Sequence, residues 1–89
     1  PAEPGKRLCV SVPEDLEFDG MFDDVLGRFT SSRELVEIRT TNMGSLYQLE
    51  YEIRMRKPGL EKCMIDEMRT MNGNLKITLG RAPMAKEVL

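Results

Sequence analysis

The residues of this chain whose types could do chemistry are two thiols, a serine beside the first of them, a row of methionines and a run of carboxylates. Cys9 and Ser11 sit two apart, as they would on one face of a strand. The 89 residues include no histidine, so neither side chain has the neighbouring base that makes a thiol or hydroxyl nucleophilic at neutral pH. Cys63 follows Leu60 and precedes Met64, Met68 and Met71 at helical spacing, which predicts a small core hydrophobe among methionines rather than a soft-metal site. Two isolated cysteines make neither a zinc site nor the disulfide framework of a small secreted domain, and fit a reducing compartment. Glu14, Asp15, Glu17, Asp19, Asp23 and Asp24 fall within eleven residues, and hard cations such as magnesium or calcium take oxygen ligands of this kind. Their spacing matches no EF-hand loop, and acidic residues gather before a helix for the sake of its dipole. No catalytic, cofactor or metal site is therefore expected. Glu14, Asp15, Glu17 and Asp19 stand as the weak candidates for a cation.

Composition excludes several classes. A chain this short has a thin core, and 40% hydrophobic with 31% charged residues describes an ordinary globule rather than a disordered or collagenous segment. The net charge of −2 offers no general attraction to nucleic acid. The stretch through Ser32 carries net −4 and the remainder net +2. No apolar run approaches the roughly 18–20 residues of a membrane-spanning helix. Pro1 to Gly5 reads as a linker left from a longer protein, 6–80 as the folded domain and 81–89 as a tail.

Hydrophobic periodicity supplies the elements. Leu8, Val10 and Val12 alternate with Arg7, Cys9 and Ser11 in a strand that Pro13 stops. Phe18, Met21, Phe22, Val25, Leu26 and Phe29 recur at three- and four-residue steps, predicting a helix with Asp19 as its N-cap and Thr30 to Ser32 as its end. Glu34 to Thr41 alternates as a second strand, with Val36, Ile38 and Thr40 inward and Leu35, Glu37, Arg39 and Thr41 outward. Asn42 to Ser45 has hairpin-turn chemistry, with Asn and Gly suited to positive φ. Tyr47, Leu49, Tyr51, Ile53 and Met55 form the inward face of the longest strand. A second helix follows Lys57-Pro58-Gly59, stops at Asn72-Gly73, and gives way to a last strand through Leu75, Ile77 and Leu79.

The order strand, helix, strand, strand, helix, strand predicts an α+β ferredoxin-like domain, βαββαβ, with a four-stranded antiparallel sheet in the order 4-1-3-2 and two helices on one face. Its open face would be mixed in charge and free of aromatics, since Tyr47 and Tyr51 fall on the core side; RNA-recognition members of the fold need aromatics there to stack bases. The first loop has neither the paired cysteines of a copper chaperone nor the Gly-rich, Arg-bearing loop of an acylphosphatase.

The stretches Thr40-Thr41-Asn42-Met43-Gly44-Ser45-Leu46 and Asn72-Gly73-Asn74-Leu75-Lys76-Ile77-Thr78-Leu79-Gly80-Arg81 resemble the soluble C-terminal domain of an uncharacterised bacterial membrane-protein family. The resemblance covers nearly the whole chain and rests on turns and strands. It implies a bundle of transmembrane helices upstream of Pro1, a cytoplasmic location at the inner membrane, and, for some members, association with polyphosphate-polymerase-like proteins. The fold also resembles ACT-type regulatory domains, which pair side by side and bind small ligands at the interface.

The expectation that follows is a non-enzymatic regulatory or assembly module acting by partner binding or weak homodimerisation, with Leu35, Glu37, Arg39 and Thr41 on strand two as the pairing edge. The alternative is a small-ligand or divalent-cation sensor using the acidic first loop.

Overall fold

The computed structural model describes residues 3–83. Strand β1 spans Gly5–Pro13, helix α1 Asp23–Phe29, β2 Thr30–Thr41, β3 Leu46–Met55, α2 Glu61–Arg69 and β4 Ile77–Arg81, with a 3-10 turn at Asn42–Gly44. The chain is thus α+β, with one four-stranded sheet in the order β2-β3-β1-β4 and every neighbouring pair antiparallel. This is the expected strand order read from the other edge. Gly5 and Arg81 both pair into the sheet, opposite Arg54 and Lys6. The ordered sheet therefore takes in one residue of the expected linker and one of the expected tail, while Pro1, Ala2 and residues 84–89 lie outside the described residues.

Apolar alternation dictates the core. Leu8, Val10 and Val12 of β1 and Leu49, Ile53 and Met55 of β3 are buried in one cluster with Phe22, Val25, Leu26, Phe29, Met64 and Met68. Both helices therefore pack on the same face of the sheet. Tyr47 and Tyr51 join this cluster from β3, as their place in the alternation requires.

Four expectations need correction. Helix α1 starts at Asp23, not after Asp19, because Gly20 adopts φ +71° and the chain makes two tight turns first, Met21 N–H to Phe18 O (3.1 Å) and Asp23 N–H to Gly20 O (3.2 Å). Phe22, buried and without a side-chain cap bond, takes the N-cap position. At its other end no loop intervenes: buried Thr30 is already extended, and its hydroxyl donates to the Leu26 carbonyl at 2.5 Å, closing the helix while starting β2. In the turn, positive φ falls on Met43 and Gly44 rather than on Asn42. Cys63 is exposed, because α2 turns only Met64 and Met68 fully inward.

The fourth correction concerns β2, which is four residues longer than expected and shifts register against β3 twice, at Ser31 and at Val36. Leu35 lies opposite Tyr51 and Glu37 opposite Glu50, leaving Val36 as the extra residue. An extra residue reverses the two-residue alternation. Leu35 therefore shares the core side with Ile38 and Thr40, and Val36 leaves that set, whereas Glu37, Arg39 and Thr41 keep the open face.

Candidate functional site

The antiparallel register builds the open face in rows. Thr78, Cys9, Glu50 and Glu37 form one row across all four strands; Arg7, Glu52 and Glu34 form the next. Like charges directly opposite each other repel, so the two glutamate pairs between β2 and β3 need cations. Arg7 reaches both Glu50 and, at 3.3 Å, Glu52. Arg39 donates to Glu37 and Glu50, each at 2.9 Å, and to the side-chain Oε1 of Gln48 at 3.1 Å. Glu50, with its side chain only 14% exposed, is the hub that joins β1, β3 and β2. The Arg39 hydrogen bond, then Arg7, hold its carboxyl below the ordinary carboxylate value.

A shallow basin of about 270 Å³ lies over this network, with Cys9, Ser11, Lys76 and Thr78 on its floor and rim. Cys9 lies 3.7 Å from an Arg39 guanidinium nitrogen, yet burial outweighs that cation and raises its thiol above the usual value, so it stays protonated at neutral pH. A protonated thiol beside a guanidinium committed to carboxylates is a poor nucleophile. The basin is an ionic ladder that fixes three strands.

The acidic loop is dispersed. Glu14, Asp15, Glu17 and Asp19 are all exposed; Glu17 accepts a hydrogen bond from the Asp19 backbone N–H at 3.3 Å, and the Glu14 N–H is spent on the Ser45 carbonyl. Among the described residues no group of three or more His, Cys, Asp or Glu side chains is close enough to hold a metal ion. The four carboxylates are not brought together.

The core-side rows lead elsewhere. One runs Ile77, Val10, Leu49, Ile38 and another Leu79, Leu8, Tyr51, Leu35. Val10, Leu8 and Leu49 are wholly buried, but Ile38 is 48% and Leu35 42% exposed at the β2 end of the same rows. The β1 and β3 positions of these rows are thus covered, and the two β2 positions are not. What remains is a groove of about 310 Å³ between the first loop and β2, lined by Phe18, Gly20, Asp23, Leu35, Ile38 and Tyr51 among others. The rings of Phe18 and Tyr47 lie 5.4 Å apart along the core side. Burial, then the nearby Asp23 carboxylate, raise the Tyr51 phenol above its usual value, and Asp19, Asp23 and Arg33 bring charge to the same groove.

Sequence spacing identified β2 as the edge, and β2 is one of the two outer strands. It missed that Leu35 belongs with Ile38, and it missed Asn72. That residue is completely buried, and its amide nitrogen donates to the Ser11 carbonyl at 2.7 Å, tying the end of α2 to β1. An Asn before Gly signals a helix stop, and nothing in that signal reveals a clamp.

Comparison with known protein families, curated proteins and solved structures gives no match to this chain. No helix among the described residues is long and apolar enough to cross a membrane.

Proposed function

We propose that this chain is a ferredoxin-like, non-enzymatic assembly or regulatory module that works by strand pairing along β2. The observation that carries the reading is the bare end of the core-side rows: Leu35 and Ile38, aligned with fully buried neighbours on β3 and β1, are left half exposed beside an unpaired strand edge. Burial of apolar surface drives association, and an unpaired strand offers backbone donors and acceptors to another strand. The βαββαβ order and the alternation of β1 and β3 support the ferredoxin-like plan. The resemblance of the turn stretches at residues 40–46 and 72–81 to the soluble domain of a bacterial membrane-protein family supports a cytoplasmic module tethered at the inner membrane. Tethering would raise the local concentration and let a weak edge contact operate.

Sedimentation equilibrium from micromolar to millimolar concentration tests the reading, with wild type compared to the double substitution Leu35→Lys and Ile38→Lys. Wild type is expected to be monomeric at micromolar concentration and to associate toward millimolar, with the double variant monomeric throughout. A strictly monomeric wild type at millimolar concentration would overturn self-pairing as the mode of action.

A further inference from the structure

The residue pattern on β2 is complementary to itself in one register. In a regular strand the residues of one face are all odd or all even, so two copies paired antiparallel about a two-fold axis normal to the sheet match faces only when opposed residue numbers add to an even total. The bulge at Val36 reverses that rule for pairs that straddle it. Pairing with β3 places Arg33, Leu35, Ile38 and Thr40 on the core side and Glu34, Glu37 and Arg39 on the open face.

We propose that the partner is a second copy of this chain, joined β2 to β2 in an antiparallel pair whose two-fold axis passes between Val36 and Glu37. The proposal rests on the pairing function above and adds the occupant and the register. In this register Leu35 of each copy meets Ile38 of the other on the core side, and Glu34 of each meets Arg39 of the other on the open face. Four half-exposed apolar side chains are covered at once, and the two grooves become continuous.

Charge argues for the same arrangement. Glu34 stands opposite Glu52 within the chain, and among the described residues its side chain makes no hydrogen bond or ion pair. Arg39 lies on that open face with part of its side chain exposed. Sliding one copy two residues toward the N-terminus opposes Glu34 to Glu37 instead. The neighbouring even registers centred on the bulge oppose the core-side Leu35 to Glu37 or Arg39 of the open face. A bulge and charged residues commonly guard an edge against indiscriminate pairing. On β2 the bulge puts the even registers centred on it out of phase and brings this one into phase. The product is an eight-stranded sheet with all four helices on one side. The contact is a narrow edge, so it belongs with the weak, transient interfaces.

The test mixes two variants of the whole chain. Glu34→Arg alone would oppose like cations at both symmetry-related pairs, and Arg39→Glu alone would oppose like anions; each is expected to self-associate about tenfold more weakly than wild type. In an equimolar mixture, a heterodimer of the two variants restores an opposite-charge pair at both places, and its association is expected to return to the wild-type level. Because Arg39→Glu also disturbs the Glu50 network, a second experiment uses Leu35→Cys and Ile38→Cys, each in a Cys9→Ser, Cys63→Ser background. Under mild oxidation the mixture is expected to form a disulfide between the two variants, with neither variant cross-linking to itself. A mixture that associates no better than its separate components, or self-cross-linking of either cysteine variant as efficient as the mixed product, would overturn the register while wild-type association left the pairing function standing. A monomeric wild type would instead overturn the pairing function and the register with it.

Discussion

Glu50 and Asn72 show how single side chains act in this molecule. Glu50 gains two cationic partners on folding, so its folded value lies below the ordinary carboxylate value of 4.5. A depressed carboxylate contributes stability that is complete above its unfolded value and disappears as pH falls through the lowered folded value. Acid titration of unfolding stability is therefore expected to show a loss below about pH 4.5, and Glu50→Gln to reduce the slope there; an identical slope in the variant would mean the hub does not link Arg7 and Arg39 in solution. Asn72→Ala removes the bond to the Ser11 carbonyl and leaves a buried acceptor without its donor. The expected cost is about 1–3 kcal/mol by chemical denaturation, and a cost near zero would contradict the clamp. Of these two roles the sequence showed a part of one. Glu50 was legible as an outward residue of β3 because alternation assigns faces. Its partners depend on register, which alternation does not specify, and the burial of Asn72 depends on where α2 ends over β1.

At the scale of elements, the legible features were those that a long periodic run determines. β1 and β3 emerged with their inward residues correct, because Leu8, Val10 and Val12 and Tyr47 to Met55 alternate without interruption and both faces of the choice differ sharply in polarity. β2 and α1 depart from the periodic pattern for a common reason: a residue in or just before each breaks the period. Gly20 in the left-handed region delays α1, and Val36 in the bulge turns Leu35 to the core side. A bulge leaves no mark in a run of Leu, Val and Ile, since every residue in it suits a strand. The burial gradient along the row Val10, Leu49, Ile38 makes a quantitative expectation. Leu49→Ala should cost about 2–5 kcal/mol, as fully buried leucines do, whereas the half-exposed end of the row should tolerate Ile38→Ala at well under half that cost. Equal losses at the two positions would show that the helices reach over β2.

For the whole molecule, the core-side rows are closed at β1 and β3 and half bare at Leu35 and Ile38 of β2. Among the described residues no strand pairs with the outer edge of β2; in the proposed dimer the bulge would bring Leu35 and Ile38 into phase with a second β2. The most direct measurement is amide hydrogen exchange at two concentrations, micromolar and millimolar, resolved residue by residue. The β2 amides that point away from β3 should exchange rapidly in the dilute sample and slow down in the concentrated one, centred on Val36 and Glu37, while β1 and β3 amides stay equally protected in both. Unchanged exchange along β2 between the two concentrations, or new protection confined to β4 or the helices, would contradict the account.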